Sequence, residues 1–245
     1  MSMRVEKTQD TWPCIKELIE FLSSRRDVDR PIALRLGINH AIVFYAACYV
    51  EGVLETTLKA LLRRRREIYN KIDVPDFEIR KTINTLFNAL EEDLQTRISR
   101  ATGVDAYETL IELLTGTRIG QSKKVRESWE GIQVLFQFRN VLAHGRAISA
   151  SRLSAYWIKE PWQENFSGGY KRAEEYLFKG GLLECKFMDS DQFDLYFTDA
   201  VADHFWGLAR SFITHVIATF EAPDIEAVSR ALSAAENEAK NGGIA

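Results

Sequence analysis

Four histidines are the side chains of this sequence best suited to proton transfer, because an unperturbed imidazole titrates between pH 5 and 8. Three of them have an arginine five positions upstream, whose guanidinium offers a planar fork of donors that matches phosphate oxygens. These pairs are Arg35 with His40, Arg139 with His144, and Arg210 with His215. The spacing also arises by chance, so the surroundings of each pair must decide which one carries chemistry.

The segment Phe-Arg-Asn-Val-Leu-Ala-His-Gly, residues 138–145, differs from the two other pairs. Asn140 and His144 are four residues apart, so on a helix they share a face and the amide can hydrogen-bond the imidazole. Arg139 lies about 140° around an ideal helix from His144, so it must reach around, or the last turn must loosen. Small Ala143 and Gly145 leave room for either arrangement. A polar set on such an apolar helix indicates an interface or a cleft.

The rival pairs have weaker surroundings. Arg35 and His40 span Gly37 at a predicted helix entrance, where His40 could act near an N-cap. Arg210 and His215 lie within a predicted helix and lack the neighbouring Asn and Gly.

The motif Arg-Asn-Val-Leu-Ala-His-Gly, residues 139–145, resembles the Arg-x(4–6)-His signature of the HEPN superfamily. The helical stretch 49–62 resembles the first core helix of that family, which in many members carries a Glu at about the place of Glu51. The resemblance covers about 38–70, 122–148 and 198–220. It leaves about 76–116 and 151–197 as insertions.

This resemblance implies an all-α helical bundle that forms a homodimer, with two motifs facing each other across a two-fold axis. It also implies a metal-independent endoribonuclease without a cofactor, of a kind often found as a toxin or an anti-phage defence effector, with an antitoxin protein as a possible partner. Arg139 and His144 would be the catalytic pair and Asn140 their polar support, with Glu51 in a supporting role.

The chemistry of these residue types fits RNA cleavage by attack of a 2′-OH on the adjacent phosphate. This reaction needs a base, an acid and neutralisation of the phosphate oxygens, and it gives a 2′,3′-cyclic phosphate and a 5′-OH. Arg146, Lys123 and Lys124 are the cations we expect to contact RNA. The run Arg63–Arg66 is another basic segment, although helix ends and solvated faces often carry such runs.

Two alternatives remain open. In the first, the chain is a catalytically silent HEPN-like module for dimerisation or binding. Arg139 then forms a salt bridge with Glu51, and His144 as a cation near a helix C-terminus contributes about 0.3–1 kcal/mol of stability through the helix dipole. In the second, it is a small-molecule enzyme, for which the sequence has no cofactor motif. The sequence contains no GxGxxG, P-loop, HExxH, Cys/His quartet or GxSxG pattern.

Apolar periodicity predicts the helices that would position the motif. We expect helices over about 12–22, 39–70, 76–100, 107–114, 122–145 and 199–220, with a weaker helical tail over 223–241. From 151 the period changes, and 151–197 is predicted as a small β excursion. Its strands would be 152–158 and 171–178, the latter joined by Gly180-Gly181 to 182–187 in a hairpin. The fold class is therefore an all-α bundle with inserted helices and a β-hairpin, forming one domain over 1–245.

Composition is that of an ordinary globular protein. The 245 residues are 46% hydrophobic and 27% charged, and 32 Lys and Arg against 35 Asp and Glu give a net charge of −3. A surface that coats nucleic acid throughout is therefore excluded, although local basic patches are not. Three scattered cysteines without CxxC spacing, no secretory signal and no long uncharged apolar span predict a cytoplasmic protein without a membrane partner.

Overall fold

The computed structural model describes residues 12–26, 31–72, 76–121, 123–144, 150–153, 163–166, 170–185 and 196–220. These residues are mostly helical, which confirms the all-α class in its coarse form. In chain order the elements are α1 (Trp12–Ser24), α2 (Ile32–Asn70), α3 (Phe77–Arg100), α4 (Val104–Thr115), a 3₁₀ turn (Ile119–Gln121), α5 (Lys123–His144), β1 (Ala150–Leu153), β2 (Gln163–Phe166), α6 (Tyr170–Lys179) and α7 (Asp199–Phe220).

The long helix α2 follows its predicted apolar stripe but begins seven residues earlier than expected. The residues of the stripe are all buried: Val43, Ala47, Val50, Leu54, Leu58, Leu61 and Leu62. Pro31 precedes the helix, and its carbonyl accepts the N–H groups of Leu34 and Arg35 at 2.9 and 3.2 Å. Proline has no N–H to lose at a helix start, so α2 begins there and Gly37 lies within it, not at its entrance.

Local capping explains the helix ends that agree with prediction. Asp76 caps α3, because its carboxylate accepts the N–H groups of Glu78 and Ile79 at 2.9 and 3.0 Å. Gly116 ends α4 in the left-handed conformation (φ 75°), and its N–H donates to the Glu112 carbonyl at 2.7 Å. Helix α7 has the predicted bounds, with Asp199 in its first turn.

The predicted strand over 171–178 is wrong, since these residues belong to α6. Tyr170, Ala173, Glu174 and Leu177 are its buried residues, and their spacing is that of one helix face. Gly181 has φ 67° and donates to the Phe178 carbonyl, while the Leu182 N–H donates to the Leu177 carbonyl at 2.9 Å. These bonds form a Schellman motif, so the glycine pair ends a helix and does not turn a hairpin.

Two short strands lie in or next to the predicted β range, and the first overlaps the expected strand 152–158 at residues 152 and 153. β1 pairs antiparallel with β2, with Ala150 opposite Phe166 and Leu153 opposite Gln163. Residues 182–185 are described and are not a strand, so the partner expected over 182–187 is also wrong as far as 185. Residues 154–162 and 186–195 lie outside the described part of the chain, as does the predicted tail helix over 223–241.

The described residues fall into two compact units. Unit 1 contains Glu51–Arg126 and 213–220, and unit 2 contains Cys14–Val50 and Glu127–Phe212. The single domain over 1–245 stays a prediction beside this division. In unit 1 most of the buried apolar residues come from α2, the last turns of α3, and α4, and the others are Ile119, Val125, Ile213 and Val216. In unit 2 they include a group of aromatic rings around Phe138.

One 18-residue stretch of α2 has a mean hydropathy of 1.3 and is by length and composition apolar enough to cross a membrane. Of this stretch, 56% is buried within the protein, and the core helix of a soluble protein meets the same description. The predicted absence of a membrane partner therefore stays a prediction.

Candidate functional site

The motif 139–144 lies on the last turns of α5, and Phe138 fixes the rotation of this part of the helix. Phe138 is fully buried, and its ring meets those of Phe197 and Phe205 edge-on, with centroids 5.4 and 5.7 Å away. The rings of Tyr170 and Tyr196 complete the surrounding group. Because Phe138 points into the core, the next two residues along the helix, Arg139 and Asn140, are turned toward the surface.

Arg139 and Asn140 form a connected polar pair at this surface. Arg139 is half-buried and Asn140 is exposed, and Arg139 Nη1 donates to Asn140 Oδ1 at 3.0 Å. The sequence allows a hydrogen bond between the Asn140 amide and the His144 imidazole. Among the described residues this bond is not formed, because Asn140 Oδ1 accepts from Arg139 instead. The hydrogen bond that does form uses one nitrogen of the guanidinium, Nη1. It leaves the Nδ2 group of Asn140 as a hydrogen-bond donor.

His144 is the last residue of α5 and is exposed. Exposure lets the imidazole reach a substrate directly. The end of α5 therefore presents an accessible imidazole five residues after Arg139.

The other three histidines are partly buried, and two of them are held in packing contacts. His40 meets the Phe197 ring edge-on with centroids 4.2 Å apart, and burial lowers its pKa. His204 Nε2 lies 2.8 Å from Tyr176 Oη, and burial likewise lowers its pKa. His215 is half-buried on α7.

The arginines of the rival pairs also have structural contacts. Arg35 Nη2 donates to Asp199 Oδ2 at 2.7 Å. The guanidinium of Arg210 lies over the Trp206 ring, 5.4 Å from its centroid. Of the three Arg-x4-His pairs, 139 and 144 therefore have the histidine best placed for chemistry.

The remaining predicted site residues are Glu51 and the RNA-contacting cations Lys123, Lys124 and Arg146. The Glu51 carboxylate, in unit 1, accepts the N–H of Gly103 at 3.4 Å, at the start of α4. Lys123 and Lys124 begin α5. Arg146 lies outside the described residues.

Two members of the basic run on α2 have structural partners within unit 1. Arg65 donates from both Nε and Nη2 to the Leu114 carbonyl, at 3.1 and 2.7 Å, near the end of α4. Arg66 pairs with buried Glu91 at 2.7 Å. These contacts agree with the structural interpretation of the run.

A cavity in unit 2 was not predicted from the sequence. It has a volume of about 580 Å³ and lies between the first turns of α2 and α7, with Arg35, Asn39, Glu184 and Asp199 among its lining residues. Asn39 Nδ2 donates to the Phe197 carbonyl and to Asp199 Oδ1, both at 2.8 Å. An Arg-Asn pair four residues apart on α2 was a visible signal, but its carboxylate partner is 160 positions away.

Asp199 is the centre of this arrangement. Burial raises the pKa of its carboxyl, but hydrogen bonds from Asn39 and Arg35 and the charges of Arg35 and Arg26 outweigh burial, so that the pKa lies below its ordinary value. Arg26 also donates to the Asp199 carbonyl at 3.2 Å and pairs with Asp203. The network ties the start of α7 to α2 and to the segment after α1.

Among the described residues, no group of three or more His, Cys, Asp or Glu side chains is arranged to hold a metal ion.

Comparison with known proteins gives no relative from which a role could be transferred. No family model matches the chain, and no curated protein or solved structure matches it.

Proposed function

We propose that this chain is a HEPN-type, metal-independent endoribonuclease in which Arg139 and His144 act on an RNA phosphodiester. The observation that carries the proposal is the exposure of His144, alone among the four histidines, at the end of the helix that also holds Arg139. Arg139 precedes His144 by five residues on the same helix, and one of its guanidinium nitrogens is held by Asn140. The resemblance of residues 139–145 to the HEPN signature supplies the reaction class.

In the proposed reaction a neutral imidazole takes the proton of the 2′-OH, and the resulting oxygen attacks the adjacent phosphorus. The P–O5′ bond breaks, and a protonated imidazole gives its proton to the leaving 5′ oxygen. The guanidinium of Arg139 offsets the charge that develops on the phosphate oxygens. The products are a 2′,3′-cyclic phosphate and a 5′-OH, and acid–base catalysis of this kind contributes on the order of 10²–10⁴ in rate.

A second copy supplies the second proton-transfer group. One imidazole cannot be base and acid at the same moment, whereas two copies related by a two-fold axis bring two such groups to one phosphodiester. We therefore propose that the active form is a homodimer in which the α5 ends face each other.

The test is incubation of the purified chain with a mixed RNA pool in EDTA, followed by analysis of the new ends. We expect cleavage to continue in EDTA and the 5′ ends to accept phosphate from a kinase, as 5′-OH ends do. His144→Ala and Arg139→Lys should both lose cleavage, the latter because an ammonium cannot reproduce the planar fork. Circular dichroism should show unchanged helicity in both.

His215→Ala is the matched control, because His215 has an arginine at the same spacing but is half-buried. This variant should retain the wild-type cleavage rate. Cleavage that disappears with the chelator, or that persists in His144→Ala, would contradict the proposal.

A catalytically silent HEPN-like binding module is the second candidate, and one observation favours it. Arg139 is half-buried and one edge of its guanidinium is already bonded to Asn140, which leaves less of the fork for a phosphate. For such a module, RNA would remain intact with the wild type and with both variants.

A further inference from the structure

The cavity between the first turns of α2 and α7 takes no part in the proposed reaction, and its size is that of a small-molecule site. Its volume is about 580 Å³, and ligand sites in proteins commonly measure about 300–1,000 Å³. The described residues that line it all belong to unit 2. The polar groups in its wall therefore indicate which kind of molecule it suits.

Two buried polar atoms at this cavity have no hydrogen-bond partner among the described residues. They are Oδ1 of Asn39, a residue that is 2% exposed, and Nε of Arg35. The orientation of the Asn39 amide is fixed, because its Nδ2 group donates to two oxygens, the Phe197 carbonyl and Asp199 Oδ1. Buried polar groups in folded proteins nearly always have partners. A ligand that donates to Asn39 and accepts from Arg35 supplies both.

Asp199 places a negative charge beside the Asn39 amide. Its Oδ1 lies 2.8 Å from Asn39 Nδ2, and its lowered pKa keeps the carboxylate ionised at neutral pH. Each carboxylate oxygen can accept more than one hydrogen bond. An ammonium group suits this pair of acceptors, because it has three N–H donors and a positive charge. This part of the wall therefore favours a primary amine.

Arg35 provides the complementary part of the wall. Its Nη2 donates to Asp199 at 2.7 Å, which leaves Nε without a partner among the described residues. The planar guanidinium matches the two oxygens of a carboxylate. A small molecule that carries both an ammonium and a carboxylate therefore satisfies Asn39 and Arg35 together.

The rest of the lining favours an apolar body and opposes two other ligand classes. Its charged residues are Arg35, Glu184 and Asp199, one cation against two anions, which disfavours a phosphate group. No aromatic residue is among the described lining residues, whereas proteins usually bind nucleobases by stacking them on aromatic rings. The large apolar side chains of the lining are instead aliphatic: Ile32, Leu36, Leu182 and Leu183.

We propose that this cavity binds a free apolar amino acid as its zwitterion. The ammonium donates to Asn39 Oδ1 and to the Asp199 carboxylate, and the carboxylate of the ligand accepts from Arg35. The side chain of the ligand contacts the aliphatic residues of α2 and of the segment that follows α6. This site lies outside the motif on α5, so the proposal does not rest on the proposed function, and a chain without ribonuclease activity can still satisfy it.

Isothermal titration calorimetry of the full chain with L-leucine and with L-phenylalanine tests the proposal. At least one of them should bind with a Kd of about 1 mM or tighter. Removal of either charge from that ligand should weaken binding at least about tenfold. For leucine, 4-methylpentanoate lacks the ammonium and leucinol lacks the carboxylate; for phenylalanine, the corresponding analogues are 3-phenylpropanoate and phenylalaninol. Because only the ligand changes, this comparison does not depend on the folding of a variant.

The variant Arg35→Lys separates ligand recognition from a structural role of the arginine. Lysine keeps a positive charge for Asp199 but lacks the planar fork, so the preference for the amino acid over its alcohol should fall to about threefold or less. A general loosening of the cavity would weaken both ligands alike and leave that preference unchanged. Arg172→Lys is the matched control, because Arg172 is an exposed arginine of unit 2 outside the cavity. This control should keep the wild-type preference.

Guanosine and inorganic phosphate are titrated as the alternative ligand classes, and neither should bind in this concentration range. Failure of both amino acids to bind, or binding of guanosine or phosphate in their place, would overturn the proposal. It would also be overturned if the deaminated acid or the alcohol bound as tightly as the amino acid, or if Arg35→Lys kept its preference.

Discussion

Replacement of Gly131 by alanine tests how closely α6 and α7 pack against α5, the helix that carries the motif. A Cβ at residue 131 would overlap the Tyr176 hydroxyl, and it would lie 2.5 Å from Leu208 Cδ2 and 2.8 Å from Tyr176 Cζ. Helix propensity alone favours alanine over glycine by about 1 kcal/mol. The packing opposes this, since overfilling a well-packed site costs about 1–3 kcal/mol.

The Tyr176 ring has little freedom to move away from a new methyl group. Its hydroxyl lies 2.8 Å from His204 Nε2, and displacement of the ring breaks this hydrogen bond at a further cost of about 1 kcal/mol. We therefore expect Gly131→Ala to lower the free energy of unfolding by about 1–3 kcal/mol, despite the better helix propensity.

Urea unfolding followed by circular dichroism measures this difference. Gly207→Ala on α7 is the matched control, because nothing lies within 4 Å of the position of its new Cβ, and it should stabilise by about 0.5–1 kcal/mol. The double variant Gly131→Ala with Tyr176→Phe should recover part of the loss, since it removes the overlapping oxygen. A Gly131→Ala protein as stable as wild type, or more stable, would refute the packing described for α5.

Three further outcomes follow from the structure. Truncation of the core ring in Phe138→Ala should cost about 3–5 kcal/mol in urea unfolding, and Phe138→Leu less than about 1.5 kcal/mol. Arg65→Ala should cost about 1 kcal/mol in the same assay, because the Leu114 carbonyl loses both of its guanidinium donors. Unfolding free energy measured against pH should fall in acid in two windows. Burial lowers the pKa values of His40 and His204 below 6.5, so the unfolded chain binds more protons there and their contribution is lost as pH falls from about 6.5. The lowered pKa of Asp199 gives a second loss below about pH 3.8, which Asp199→Asn should remove.

The sequence predicts the first or last residue of a helix well where a local capping signal is present. Asp76 and Gly116 are such signals, since a capping carboxylate and a left-handed glycine act within one turn. It fails at Gly180-Gly181, because a glycine pair serves a hairpin turn and a helix C-terminus equally well. Only the buried face of α6, which depends on residues distant in the chain, distinguishes the two.

In the candidate site, likewise, the residues that are close in sequence could be predicted and those joined by tertiary packing could not. Arg139, Asn140 and His144 are adjacent in sequence, so their common position on α5 could be predicted from helical spacing. The cavity around Asp199 could not, since Asn39 and Arg35 reach it only through tertiary packing. The helix α3 could be predicted from apolar spacing, but the exposure of its residues Ile79, Leu86 and Leu90 required the structure.

The measurement that tests the central claim most directly is the initial rate of RNA cleavage in EDTA by wild type, His144→Ala and His215→Ala at equal concentration. Loss of proton transfer by the exposed imidazole should slow His144→Ala by at least about 100-fold and leave His215→Ala unchanged. Equal rates for the three proteins, or no cleavage by wild type in any RNA pool, would show that the end of α5 is not a ribonuclease site.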